Sequence, residues 1–254
     1  MGDVAWDVAV QTNVTHEHLE FHRTPEAYRA AKRRLFERLA VGTANPEKGL
    51  GKHAVVNMDD PWVAVFRDAA RDAGATVAGY GAAPGGAADI RAVAVREGGR
   101  LEVTVRTGRW QAVVRLALAG RYNVHNALAA VGVGESLGLD PHAMRAGLEA
   151  LERVPGRMES VDLGQPFRVL VDYAHSPEAL AKALDAVAPL AAAAGGGLIA
   201  VFGSAGDRDV AKRPMMGRVA GERCRLVVVT DEDPRSEDPD AILGAIAEGA
   251  ERVG

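Results

Sequence analysis

The sequence predicts an α/β fold in two domains, a mixed sheet with an antiparallel meander followed by a doubly wound parallel sheet. Strand-like and helix-like segments alternate near both ends of the chain, as in β-α-β units. Between them, residues 87–118 alternate apolar and polar positions around glycine-containing turns, which is typical of antiparallel strands. The pair Pro155-Gly156 lies between a predicted helix and a new strand, so the predicted domains are residues 1–154 and 155–254.

The composition is that of a folded globular protein. The chain has 254 residues, of which 48% are hydrophobic and 25% charged, enough for one large or two ordinary cores. Its net charge is −4 and its pI is about 6.0. Such a balance provides no general basic surface, so we expect no nucleic-acid partner.

Cysteine content and hydropathy indicate the compartment. Cys224 is the only cysteine, and the first residues lack the basic and apolar regions of a signal peptide, which favours the reducing cytoplasm. The segment 186–206 carries no charge and is long enough to cross a bilayer. Pro189 and the glycines 195–197 interrupt it, so we expect a helix end, a turn and a short strand there, and no membrane insertion.

The first domain opens with a strand, a polar loop and a helix. Residues 7–13 alternate like a strand, and the loop after them carries His18 and His22. Thr24-Pro25 then supplies an N-cap and a first helical position for a helix that carries Lys32. Taken alone, such histidines and such a lysine are more often surface residues than ligands.

The remaining elements of the first domain follow from patterning and capping. A strand from residue 53 stops at the polar turn Asn57–Asp60, and Asp140-Pro141 starts a helix in the same way as Thr24-Pro25. The other predicted elements are a helix at 62–73, a strand at 75–81 and a helix at 120–137.

The second domain is predicted as β-α-β-α-β-α. Ser176 caps the first helix, Pro214 belongs to the start of the second, and the last helix spans 238–253. Each of the three strands is followed by a polar cluster, and the carboxyl ends of parallel strands meet at one sheet edge. These clusters are residues 172–175, 203–209 and 231–235. They outline a single site.

The loop after the second of these strands suits an oxyanion. Gly203 lets the backbone approach a ligand, and Arg208, Lys212 and Arg213 lie next to a predicted helix N-terminus. An ordinary solvated loop is about equally compatible with this local chemistry. A phosphate loop of the form G-x-x-x-x-G-K-[ST] is missing, since Gly51-Lys52 lacks its spacing, and no G-x-G-x-x-G fingerprint supports a nicotinamide enzyme.

A series of motifs resembles the Mur ligases in order and spacing, over nearly the whole chain. The motifs are TNVTHEHLEFH, YRAAKRRLF, VVNMDDP, GRYNVHNALAA, VPGRMESV, VDYAHSPEAL, VFGSAGDRDVAKRPMMG and TDEDPRSEDP. The resemblance implies the later part of the central, ATP-binding domain followed by a Rossmann-like C-terminal domain that is incomplete at its end. Pro155-Gly156 would then be the hinge between them.

The resemblance implies an ATP-dependent amide ligase of peptidoglycan precursor synthesis. A carboxylate of UDP-MurNAc-L-Ala-D-Glu attacks the γ-phosphate of ATP, and the amine of a diamino acid displaces phosphate from the resulting acyl phosphate. The implied cofactors are ATP and Mg²⁺. Such ligases also have a phosphate loop, a glutamate metal ligand and a nucleotide-sugar domain that have no counterpart here. We therefore expect a fragment that is inactive alone.

The resemblance also assigns residues. His18 matches a magnesium ligand, and Lys32 matches a lysine that becomes a metal ligand and catalytic group as a carbamate, while His22 has a supporting role. The matched nucleotide contacts are Asn126, Asp172, Tyr173 and Arg157. The matched catalytic contacts to the phosphates are Arg157 and Lys212. The matched contacts to the incoming amino acid are Glu232, Asp233 and Arg235.

The amino-acid motif departs from the family pattern. Enzymes for diaminopimelate read D-N-P-R, whereas Glu232-Asp233 stands at the first two positions here. Arg235 favours a carboxylate, as in diaminopimelate, and the added acids favour the ammonium of lysine or ornithine. The sequence leaves the diamino acid and the oligomeric state open. Two other functions also stay open: a non-catalytic module that binds a nucleotide or a partner, and a ligase of the same family for a folate or polyglutamate acid.

Overall fold

The computed structural model describes residues 4–15, 19–40, 49–98, 100–118 and 120–253. The chain divides into two compact units. The first contains residues 4–15 and His22–Arg153, and the second contains residues 19–21 and 154–253.

The first unit alternates strands and helices as far as its meander and ends in two helices. All of its elements belong wholly to this unit except α1, whose first three residues are assigned to the second unit. In chain order they are β1 Val8–Gln11, α1 Leu19–His22, α2 Pro25–Glu37, a 3₁₀ turn Arg38–Ala40, β2 His53–Asn57, α3 Val63–Asp72, β3 Thr76–Gly81, β4 Ile90–Arg96, β5 Leu101–Arg106, β6 Gln111–Leu116, α4 Tyr122–Ser136 and α5 Pro141–Ala150. The short helix α1 occupies part of the stretch that the sequence indicated as a loop.

The sheet of this unit is mixed, as predicted. Among the described residues it has six strands in the order β1 to β6, with parallel pairing from β1 to β4 and antiparallel pairing from β4 to β6. One core cluster includes Val55, Val103 and Leu128, and another includes Phe36 and Phe66, whose ring centroids are 5.3 Å apart. Burial of each such side chain contributes about 1.5–3 kcal/mol.

The predicted helix starts are confirmed. In each case a side-chain oxygen accepts the backbone N–H of a residue two or three positions later, and proline occupies the first turn. The capping residues are Thr24, Asp140, Ser176 and Asp238. Each cap is worth about 1 kcal/mol, so local chemistry alone sets these four boundaries.

The second unit is built around a parallel strand pair with helices. Its elements are β7 Glu159–Val161, β8 Val169–Val171, α6 Pro177–Ala193, β9 Ile199–Phe202, α7 Lys212–Arg223, β10 Leu226–Val229 and α8 Pro239–Glu251. β9 pairs with β10 in parallel, and Leu180, Leu184, Ala200, Met216 and Ala220 form the buried core. The α/β class of this unit is confirmed. Among the described residues its parallel sheet comprises two strands, where the sequence predicted three.

Two details of the second unit differ from the prediction. β8 pairs antiparallel with β7, because Gly164 at φ +85° and the neighbouring Pro166 turn the chain back into a hairpin. α6 continues through Pro189 to Ala193, where the sequence indicated an earlier end. The carbonyl that loses its N–H partner belongs to Asp185, an exposed residue, so water can replace the lost bond. No helix among the described residues is long and apolar enough to cross a membrane.

Helices α7 and α8 approach each other through glycines. A Cβ atom at Gly217 would lie 1.9 Å from the carbonyl oxygen of Ile246, and one at Gly249 would lie 2.0 Å from that of Pro214. Both contacts are with backbone, which cannot rotate away. The spacing of the two helices therefore depends on the absence of a side chain at these positions.

We expect Gly249→Ala to destabilise the second unit by roughly 2 kcal/mol, because overpacking against backbone forces the helices apart. The measurement is hydrogen–deuterium exchange of peptides from α7 and α8. Gly244→Ala is the matched control in the same helix: nothing lies within 4 Å of its Cβ position, so it should stabilise the helix by up to about 1 kcal/mol. Equal effects of the two variants would contradict the packing argument.

Candidate functional site

In the first unit, polar side chains cross-link the carboxyl ends of β1, β2 and β3. The backbone N–H of Asn57 donates to Gln11 Oε1 at 2.8 Å, and the Tyr80 hydroxyl donates to the Gln11 carbonyl at 3.1 Å. Burial, together with the nearby carboxylates of Asp60 and Asp59, raises the pKa of Tyr80 far above its ordinary value. Tyr80 therefore keeps its proton and remains a donor.

The same strand ends hold the loop that follows β1. Asn57 Nδ2 donates to the Thr12 carbonyl at 2.7 Å, and the Val14 N–H donates to Asp60 Oδ2 at 3.0 Å. The other oxygen of Asp60 accepts the Trp62 N–H at 2.8 Å. The polar turn predicted at the end of β2 thus fixes the backbone that leads from β1 towards the predicted histidines.

A second carboxylate, that of Asp59, ties the end of β3 to α4. Asp59 Oδ2 accepts the N–H groups of Ala82 and Ala83 at 2.6 and 3.1 Å and lies 2.9 Å from His125 Nε2. His125 was not among the residues singled out from the sequence, although it precedes the predicted nucleotide contact Asn126. Only its side-chain type in the motif GRYNVHN could have indicated it.

The predicted metal-site residues of the first unit are described only in part. His18 lies outside the described residues. Lys32 is exposed on α2, with Nζ 4.9 Å from the ring centroid of Tyr28, and the His22 ring lies 5.2 Å from the same Tyr28 ring. This is the geometry of a cation–π contact, and an ammonium group, which can only donate hydrogen bonds, is not a metal ligand. Among the described residues, no group of three or more His, Cys, Asp or Glu is placed to hold a metal ion.

Asn126 lies on an exposed part of the first turns of α4. Its Nδ2 donates to Asn123 Oδ1 at 2.9 Å, and Asn123 is itself buried. The buried Asn123 thus orients the side chain of Asn126. The sequence did not indicate which of the two asparagines is buried.

In the second unit, four of the predicted site residues come together around the end of β8. Asp172 accepts the N–H groups of Met158 and Ala174 at 2.9 Å each, which holds the turn after Arg157 against the strand end. The Arg157 guanidinium lies 5.1 Å from the ring centroid of Tyr173. The structure thereby places Arg157, Asp172 and Tyr173 in one cluster.

Lys212 joins this cluster from the first position of α7. Its Nζ donates to the His175 carbonyl at 2.9 Å, and the His175 ring meets the Tyr173 ring edge-on at 5.0 Å. Tyr173 is 65% exposed. The exposed Tyr173 ring can stack on a base or a sugar, and the positive charges of Arg157 and Lys212 can neutralise phosphates. These residues therefore fit a nucleotide.

The loops after β9 and β10, residues 203–211 and 230–238, are joined to each other. The Gly206 N–H donates to the Asp233 carbonyl at 2.7 Å, and a Cβ atom at Gly206 would lie 1.8 Å from the Pro234 carbonyl oxygen. Within the second loop, Arg235 Nε is 3.3 Å from Asp233 Oδ2. Glu232, Asp233 and Arg235, the predicted amino-acid contacts, therefore share one exposed loop next to Gly206.

Arg213 is not available for the oxyanion role that its position suggested. It is 2% exposed, and its two Nη atoms donate to the two carboxylate oxygens of Glu237 at 2.7 and 2.8 Å. These hydrogen bonds raise the pKa of Arg213, and both side chains stay charged. Glu237 could not be recognised from the sequence, because its partner Arg213 lies on a different segment, in the first turn of α7. Arg208 is exposed.

Comparison with known proteins identifies two matching family models. The Mur ligase middle domain matches residues 1–134, and the Mur ligase glutamate ligase domain matches residues 156–254. A UDP-N-acetylmuramyl-tripeptide synthetase from Roseiflexus sp. (strain RS-1) is 51% identical over 98% of this chain and 48% of its own length. A UDP-N-acetylmuramoyl-L-alanyl-D-glutamate--2,6-diaminopimelate ligase from Geobacter metallireducens is 43% identical over 98% of this chain and 47% of its own length.

A solved structure gives the same picture. A UDP-N-acetylmuramoyl-L-alanyl-D-glutamate--2,6-diaminopimelate ligase superposes with a TM-score of 0.59 at 30% identity, over 96% of this chain and 47% of that one. The chain thus spans about half the length of the relatives it matches.

We expect Glu237 to make the second unit sensitive to acid. The hydrogen bonds from Arg213, and then from the Asp207 N–H, lower the pKa of Glu237 from 4.5 to about 2. Since this pKa lies below the value in the unfolded chain, the stabilisation is complete above pH 4.5 and is lost as the pH falls through about 2. Urea unfolding followed by circular dichroism between these pH values should show a smaller pH dependence in Glu237→Gln than in the wild type. The exposed Glu178→Gln is the control, and identical slopes in Glu237→Gln and wild type would contradict the assignment.

Proposed function

Because the chain belongs to the Mur ligase family, we propose that it forms the later part of the central domain, residues 1–154, and the C-terminal domain, residues 155–254, of an ATP-dependent amide ligase. The reaction joins a diamino acid to UDP-MurNAc-L-Ala-D-Glu in peptidoglycan precursor synthesis. The observation that carries the proposal is the match of both family models, in order, to nearly the whole chain. The names of the two relatives support the substrate class.

The nucleotide is assigned to Arg157, Asp172, Tyr173, Lys212 and Asn126. Tyr173 offers its exposed ring to the base or ribose, and Arg157 and Lys212 bring positive charge to the phosphates. The carboxylate of Asp172 accepts two backbone N–H groups, so its part is to hold Arg157 and Tyr173 in place. In the first step, the carboxylate of UDP-MurNAc-L-Ala-D-Glu attacks the γ-phosphate of ATP. The main demand of this step is that the negative charge of the phosphates is neutralised.

Lys32 and His18 are assigned to Mg²⁺. Magnesium would neutralise the charge of the phosphates and prefers oxygen ligands. Lys32 meets that preference only after its neutral amine has added CO₂ and lost a proton, which gives a carbamate. In the described structure the Lys32 Nζ lies over the ring of Tyr28, 4.9 Å from its centroid. The His22 ring lies 5.2 Å from the Tyr28 ring, so His22 supports this arrangement through Tyr28.

Glu232, Asp233 and Arg235 are assigned to the diamino acid. Arg235 can pair with a carboxylate, as diaminopimelate would require, and the two acids can pair with an ammonium. The relative from Geobacter metallireducens is named for diaminopimelate, whereas the name of the relative from Roseiflexus specifies no diamino acid. Diaminopimelate, lysine and ornithine are therefore the candidates.

We expect a chimaera to be an active ligase. In it, this chain replaces the matching region of the relative from Roseiflexus, which itself serves as the control. The purified chimaera is supplied with ATP, Mg²⁺, UDP-MurNAc-L-Ala-D-Glu and each diamino acid in turn. It should form ADP and the tripeptide product with at least one of them. If the parent relative is active, two results would contradict the proposal: ligation of glutamate to a folate by the chimaera, or nucleotide binding by the chimaera without ligation.

The role of Lys32 makes a second prediction. In the chimaera, Lys32→Ala should reduce kcat by at least about a hundredfold, since an oxygen ligand near the phosphates is lost. An added short carboxylic acid should restore part of the rate by supplying that oxygen. Lys182→Ala, which removes an exposed lysine paired with Glu178, is the matched control. Full activity of the Lys32 variant would refute the assignment.

A further inference from the structure

The loops after β9 and β10 each contain one residue with a strained backbone conformation. Asp207 in the first loop and Arg235 in the second both have φ of +51°, the left-handed region that residues with a side chain rarely adopt. Such conformations persist only when surrounding contacts enforce them. The enforcing contacts therefore identify the groups on which the shape of both loops depends.

These contacts converge on Glu237. Its Oε1 accepts the Asp207 N–H at 2.6 Å, and both of its oxygens accept from Arg213. The neighbouring Ser236 hydroxyl donates to Asp207 Oδ1 at 2.7 Å. Glu237 thus lies between the start of α7 and the strained residue of the first loop, while it belongs to the second loop.

Glu237 is joined to the backbone of the predicted amino-acid contacts. Its own N–H donates to the Pro234 carbonyl at 2.9 Å, one residue before Arg235. On the other side of the same turn, the Asp233 carbonyl accepts the Gly206 N–H. Because Gly206 cannot carry a side chain against Pro234, the two loops have little freedom to slide past each other.

We propose that Glu237 is a positioning residue for the turn of residues 232–235, which it fixes by joining that turn to Arg213 and Asp207. The inference rests on the proposed function, in which this turn contacts the diamino acid. Both carboxylate oxygens of Glu237 are occupied by the protein, so Glu237 acts through the turn and not on the substrate. Loss of its charge leaves the buried guanidinium of Arg213 without its counter-ion.

The first test uses the 254-residue chain. In Glu237→Gln, hydrogen–deuterium exchange of peptides covering 203–211 and 230–238 should rise by roughly tenfold, the size expected when a charge-assisted hydrogen bond is lost. Exchange in α6 should not change. Glu178→Gln, which removes the charge of an exposed pair with Lys182, is the matched control and should leave both loops as they are. Unchanged loops in Glu237→Gln would overturn the proposal.

A weaker variant covers the case in which Glu237→Gln does not fold. Ser236→Ala removes only the bond to Asp207 Oδ1 and leaves the pair of Arg213 and Glu237 intact. It should raise exchange in both loops by a smaller factor. If Glu237→Gln does not fold and Ser236→Ala leaves both loops unchanged, the proposal is overturned.

The second test separates positioning from general stability. In the chimaera, Glu237→Gln should raise KM for the diamino acid by about tenfold, as expected when a contacting group is misplaced by less than an ångström, and change KM for ATP by less than about twofold. Glu237→Asp, which keeps the charge, should restore part of the loss. Equal increases in both KM values, or none, would overturn the proposal. If the unmodified chimaera does not ligate, the proposed function fails, and the exchange measurement alone decides this inference.

Discussion

Carboxylates in the loops that follow strands accept backbone N–H groups and so hold the candidate sites of both units. Asp59, Asp60, Asp172 and Glu237 each accept at least one backbone N–H from a different segment of chain. A charged acceptor makes a stronger hydrogen bond than a neutral one, and it fixes the loop without using any of its side chains. The exposed side chains of those loops therefore stay available for a ligand.

The elements that the sequence predicted well are those set by local chemistry. The strands, the meander and the four capped helix starts follow from alternation and from Ser, Thr or Asp before proline. The β7–β8 hairpin was not predicted, because the sequence of a short apolar strand does not indicate which other strand it pairs with. The length of α6 was underestimated, because whether a helix tolerates Pro189 depends on the exposure of Asp185.

The candidate site was predictable to a similar extent. Strand-end clusters and the family resemblance indicated Arg157, Tyr173 and Lys212. In the structure Arg157 lies by the Tyr173 ring, and Lys212 is joined to Tyr173 through His175. Arg213 was assigned wrongly, because its neighbours in sequence suggest a free cation while its actual partner is Glu237. A charge on a helix that is neutralised by a residue on a distant loop cannot be recognised from either segment alone.

The glycines between α7 and α8 also limit how far this unit can diverge. Gly217 and Gly249 each face a carbonyl on the other side of the interface, so a larger residue at one position cannot be relieved by a smaller one at the other. Packed surfaces usually change during evolution by compensating substitutions. Such substitutions are not possible at these two sites. Chains that keep this helix spacing must keep both glycines, which makes the pair a signature for finding distant homologues of the second unit.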